Sequence, residues 1–204
     1  VAPAASGAPS ALIEDIVPAD SHDPRGAAFG AMVLPLVMAG IAAGALLSLL
    51  IPILAARVAG LFTFAVAAGL LSMSVVQGWL DILPGSYLTL AAVAALVSFA
   101  VAGSVVGLAA VVGRPGIGIA ALLLLLIGNP FSAATSAPEL LPTFWGSLGQ
   151  YLPPGAAATL LRSVAFFDSH ALTTPLTVLL TWSAAALILI TLAALRPQPA
   201  PTPA

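Results

Sequence analysis

The chain is 204 residues long, 61% hydrophobic and only 6% charged, with a formal net charge of -2. A soluble globule of this size needs a polar surface that five basic and seven acidic residues cannot supply, so the composition defines an all-α integral membrane protein. All five basic residues are arginine, which leaves no basic surface for nucleic acid, and the lack of cysteine removes disulfides and thiolate metal sites.

Residues 1–25 form a small-residue, proline-bearing lead with Glu14, Asp15, Asp20 and Asp23, read as an external flexible tail or the stump of an external domain. His22 lies between two of these carboxylates, but a flexible tail does not fix metal-ligand geometry, so no metal site is expected. From residue 26 to 196 the chain reads as one transmembrane domain.

The first span is Ala27 to Ile51, about 25 residues and roughly 37 Å of helix, enough to cross about 30 Å of hydrocarbon with tilt. It carries Pro35 and the small-residue pair Gly40 and Gly44, which suits close helix packing. Arg57 opens a second span running to about Gln77, where Ser72, Ser74 and Gln77 are expected to bond back to their own helix. Trp79 and Asp81 mark a water boundary, and Tyr87 to Val112 is the third span, with a second pair at Gly103 and Gly107.

After the tight Gly113-Arg-Pro-Gly116 turn, Ile117 to Ile127 offers only eleven apolar residues, half a bilayer. A fourth span must therefore continue through Asn129 and Pro130, kinked where proline removes a backbone bond and Asn129 supplies a side-chain partner. Two short amphipathic segments follow within residues 138–168. The first places Leu141, Phe144, Trp145, Leu148 and Leu152 on one face and Thr143, Ser147 and Gln150 on the other, and Pro153-Pro154-Gly155 is expected to stop it. The second runs from about Ala156 to Phe167. Neither can span, so they fit a re-entrant or interfacial helical hairpin between the fourth and fifth spans. The fifth span is Thr173 to Leu195, and residues 197–204 form a proline-rich, disordered cytoplasmic tail.

Five spans with the hairpin held on one side put Arg57, Arg114 and Arg196 on one face and all seven acidic residues on the other. The positive-inside rule makes the arginine face cytoplasmic, the N-terminus external and the C-terminus internal. Arg162, on the second short helix, must reach water or a partner, with Glu139 and Asp168 the nearest acidic candidates in sequence. Candidate pathway or gating residues are Asn129, Pro130, Glu139, Trp145, Gln150 and Arg162. No catalytic, cofactor-binding or metal-ligating set is expected, since both histidines, His22 and His170, lie outside the spans.

The order of these features, and above all the block GNPFSAATSAPELLP…WGSLGQYLPPGAAATLLRSVAFFD before the last span, resembles the C-terminal membrane domain of bacterial type-2 ABC-transporter-like permeases, closest to the phage-infection-protein (YhgE/Pip) family. The resemblance covers about Glu14 to Arg196. It implies a six-helix permease fold with one further span upstream, short helices capping the outer end of a pathway or dimer interface, and a bacterial plasma-membrane location. It also implies a separate ATP-binding cassette subunit, surrounding membrane lipid and a homodimer or larger complex. The function expected is therefore a permease subunit for a hydrophobic or amphipathic substrate; the alternative is a non-transporting scaffold or receptor in an envelope or secretion complex.

Overall fold

A computed structural model describes residues 27–196, in which all regular structure is helical. The tails expected at 1–25 and 197–204 lie outside the described residues, as do Arg25 and His22. Helix α1 is Ala27–Leu50 and α2 is Leu54–Met73, extended by a π-helical end over Ser74–Trp79. Next come α3 (Tyr87–Val112) and α4 (Arg114–Ala121), the latter extended by a π-helical end over Leu122–Gly128. A 3₁₀ turn at Pro138–Leu140 precedes α5 (Thr143–Gln150), α6 (Pro153–Phe166) and α7 (Thr173–Ala194).

Four of these, α1, α2 with its π end, α3 and α7, are long and apolar enough to cross a membrane. Their outward faces carry bare Leu46, Phe62, Leu71, Leu180 and Ile188, which water would penalise and acyl chains accept. The fourth sequence-predicted span ends early. Eight α-helical and seven π-helical residues make roughly 22 Å, and the chain turns at Asn129.

Helix α3 is the axis of the bundle, buried over most of its length and packed by α1, α2, α4, α6 and α7. The small-residue pairs explain how so many helices reach it. A Cβ on Gly40 would stand 2.7 Å from the Val101 side chain, and one on Gly44 would stand 2.7 Å from the Ala102 carbonyl, so α1 lies directly on α3. Gly103 and Gly107 do the same for α7, facing Ala186 and Leu189. Both pairs thus serve packing within the chain, where close backbone approach replaces the hydrophobic effect that lipid does not supply. The α3–α4 reversal needs a left-handed residue, and Gly113 supplies it with φ 81°; Pro115 then starts α4, whose Gly116 rests on the Leu108 backbone.

Of the polar residues at the end of α2, only Ser74 bonds back as expected, to the Leu70 carbonyl at 2.9 Å; Ser72 makes no such bond, and the Gln77 amide donates forward to the carbonyls of Leu83 (2.8 Å) and Gly85 (3.0 Å). It ties down the loop into α3, which has carbonyls that no helix satisfies. The prolines of the PPG segment also act differently from a stop signal: Pro153 and Pro154 occupy the first turn of α6, where missing N–H groups cost nothing.

Charge divides along the bundle axis. Arg57 and Arg114 line one small pocket, and Arg196 donates to the Val111 carbonyl at 2.7 Å, so all three arginines share the end where α3 finishes. Asp81, Glu139 and Asp168 lie at the other end, beside the starts of α3 and α7.

Candidate functional site

Helices α5 and α6 and the residues linking them to α4 form a compact unit against the bundle. Their meeting point lies deep: the Trp182 indole, half-way along α7, donates to the Tyr151 carbonyl at 2.9 Å, and Gly128 abuts Pro154. The other end of α6 lies beside the start of α3, where Val164 and Ala165 approach Gly85. Residues 153–158, PPGAAA, are all buried, and such small side chains let α6 enter the bundle at a depth where larger ones would clash. Gly149 sits on the Phe131 carbonyl and Gly155 on the Gly149 carbonyl, both too close for any Cβ.

The connecting residues 129–137 have few backbone bonds of their own, and side chains compensate. Ser132 donates its hydroxyl to the Asn129 carbonyl at 2.7 Å. The Gln150 amide donates to the Ser132 carbonyl at 3.3 Å while its carbonyl accepts from the Thr159 hydroxyl at 2.5 Å. Arg162 donates to the carbonyls of Ala133 (3.0 Å) and Ala134 (3.1 Å) and lies 5.3 Å over the Phe29 ring. The half-buried guanidinium therefore replaces a missing helical ladder and joins the loop to α1, rather than pairing with Glu139 or Asp168. Burial lowers its pKa from the ordinary value, an effect the Glu139 charge opposes, but arginine stays cationic.

Most of the six sequence-predicted site residues gather around this loop. Asn129 starts it through its backbone carbonyl; Trp145 clamps it by stacking on Phe131 with centroids 4.4 Å apart; Gln150 and Arg162 hold its carbonyls. Pro130 is exposed and makes no such bond. Glu139 and Gln150 line a cleft of about 460 Å³ with Ser147, Tyr151 and Thr174. Tyr151 also lines a second cleft of about 280 Å³, which runs on along Thr177, Thr181 and Trp182 of α7.

The two clefts meet at Tyr151 and run from the acidic end to the middle of the bundle, their walls mostly apolar but carrying Glu139, Ser147, Gln150 and three threonines of α7. Sequence reading missed their α7 side, although Thr174, Thr177 and Thr181 repeat at helical spacing in an otherwise apolar segment. Tyr151 and Phe131 gave no periodic signal. A separate groove of about 620 Å³, almost wholly apolar, opens between Met32, Pro35 and Ala39 of α1 and Ala68, Leu71 and Val75 on the α2 side. Among the described residues no three histidine, aspartate or glutamate side chains cluster as a metal site would require.

No family profile, characterised protein or solved structure matches the chain. The fold therefore gives a class alone: the described residues are all-helical and include four helices long and apolar enough to cross a bilayer, as in an α-helical membrane protein.

Proposed function

We propose that the chain is a permease-type transmembrane subunit of an exporter-like system, moving a hydrophobic or amphipathic substrate across or out of the plasma membrane with energy from a separate partner. The observation that carries this reading is the short helix α6, buried in the bundle over residues 153–158, with the clefts that α5 and α7 form beside it. Irregular backbone persists at membrane depth only where protein or a wet cavity satisfies it, and such segments line the sites of transport proteins. In this reading α4 and residues 129–137 are a fifth, broken crossing, and α5–α6 is a re-entrant hairpin returning to the external, acidic side. The N-terminus is then external and the arginine end cytoplasmic.

Cargo chemistry follows from what the spans lack. Between Trp79 and Arg114 and within Thr173–Ala194 the only ionisable side chains are Asp81 and Tyr87 at the boundary, so no mid-membrane carboxylate is available for proton or cation coupling. An apolar groove open to lipid suits an acyl-bearing substrate instead. Energy must come from elsewhere, and an ATP-binding cassette protein, acting on a dimer of this chain, is the partner the type-2 permease likeness implies.

The exposed aromatic groups Trp79 and Phe144 favour a second reading, a non-transporting scaffold or receptor that docks envelope or secretion proteins. Purification from native membranes in mild detergent separates the two. Co-isolation of a cassette ATPase, with ATP-dependent movement of a fluorescent phospholipid in vesicles, supports the permease. Recovery of envelope proteins alone, or lipid movement unchanged by deletion of residues 141–167, refutes it.

A further inference from the structure

The arginine end holds a feature that the transport reading does not use. Four helix termini converge there, the C-terminal ends of α1 and α3 and the N-terminal ends of α2 and α4, around a pocket of about 180 Å³ lined by Ser48, Arg57, Gly113 and Arg114. The helix dipoles at two starts and two ends largely cancel, so the guanidinium groups set the sign of the site. The described acidic residues, Asp81, Glu139 and Asp168, all lie at the far end of the bundle. Arg57 donates from Nε to the Ile51 carbonyl, which fixes the plane of its fork and leaves the terminal nitrogens for another acceptor. Arg114 has no partner among the described residues.

We propose that this pocket holds the phosphate of an anionic lipid headgroup, clamped between Arg57 and Arg114. Size and surroundings both point to this occupant. At about 30 Å³ per water the pocket has room for a hydrated phosphate but not for a whole lipid. Its rim continues into Leu49, Leu50 and Ile53, exposed by 49%, 72% and 66%, an apolar surface that acyl chains would cover and a soluble anion would leave bare. Planar guanidinium groups match phosphate oxygens in pairs, and basic pockets between membrane helices bind acidic headgroups on this principle. The site is independent of whether the chain transports anything.

Native mass spectrometry of the full chain, released from nanodiscs of equal phosphatidylglycerol and phosphatidylcholine, tests the assignment. Phosphatidylglycerol is expected to be retained over phosphatidylcholine. Arg114→Gln and Arg57→Gln should each lower that retention about fivefold. Arg196→Gln removes the same charge from the same end but outside the pocket, and should leave retention within about twofold. Arg114 is exposed and unbonded, so its variant folds even if Arg57→Gln loosens the α1–α2 turn; unchanged melting in detergent checks this. Equal retention of the two lipids, or equal losses in Arg114→Gln and Arg196→Gln, overturns the site. Displacement of phosphatidylglycerol by equimolar inorganic phosphate, which has nothing to gain from the apolar rim, overturns its assignment to a lipid.

Discussion

Arg162 shows how a charge can act as a structural part. One terminal nitrogen, Nη2, donates to the carbonyls of both Ala133 and Ala134; Ala133 is itself left-handed with φ 54°, and its carbonyl otherwise accepts only a long 3.4 Å bond from the Ser136 N–H. Hydrogen bonds from charged donors are worth about 1.5–3 kcal/mol. Arg162→Met should therefore lower stability in mild detergent by about 2 kcal/mol. Arg162→Lys should recover part of this, since an ammonium can donate to the same carbonyls but lacks the planar group that lies over the Phe29 ring. Glu139→Gln should shift stability by under about 0.5 kcal/mol, because the exposed carboxylate is not bonded to the guanidinium. A loss from Glu139→Gln equal to that from Arg162→Met, measured by thermal unfolding, would show that an ion pair holds the loop instead. Sequence alone identified Arg162 as a residue that must reach water or a partner and offered Glu139 and Asp168 as the nearest candidates; the backbone carbonyls it meets carry no sequence signature.

At the scale of elements, the short helices depend on residues that have no side chain. Gly149 meets the Phe131 carbonyl and Gly155 meets the Gly149 carbonyl, so α5, α6 and the connecting loop are in backbone contact. Gly149→Ala must push these apart and should cost about 2–3 kcal/mol. Gly118→Ala on α4, where nothing lies within 4 Å, should be neutral or stabilise by up to about 1 kcal/mol through helix propensity. Similar effects of the two substitutions in detergent unfolding would contradict the packing of this unit. The apolar runs, the glycine pairs and the two short helices were all legible, since periodicity and small-residue spacing are local properties. The depth of α6 was not. Amphipathic patterning left it re-entrant or interfacial and began it only at Ala156, whereas PPGAAA buries every residue, and small side chains give a hydrophobicity scale little to detect. The role of Pro153 and Pro154 was misread for a related reason: proline ends one helix and begins the next equally well, and the neighbour decides.

For the whole molecule, two independent distributions agree. Large apolar side chains ring the outer faces of α1, α2 and α7, and apart from Arg162, held inside on α6, the described charges separate to opposite ends, Arg57, Arg114 and Arg196 where α3 finishes and carboxylates where it begins. The first was readable from composition. The second followed from counting crossings, and it depends on whether residues 114–168 go through the membrane and stay through or return. The chain has no cysteine, so single-cysteine variants report without background. The decisive measurement labels Arg114→Cys, Glu139→Cys and Asp168→Cys with an impermeant maleimide in sealed cells and after permeabilisation. A broken crossing followed by a hairpin predicts that Glu139→Cys and Asp168→Cys react from outside and Arg114→Cys only once the membrane is opened. Reaction of Glu139→Cys and Asp168→Cys from opposite sides, or of Arg114→Cys and Glu139→Cys from the same side, would contradict the account.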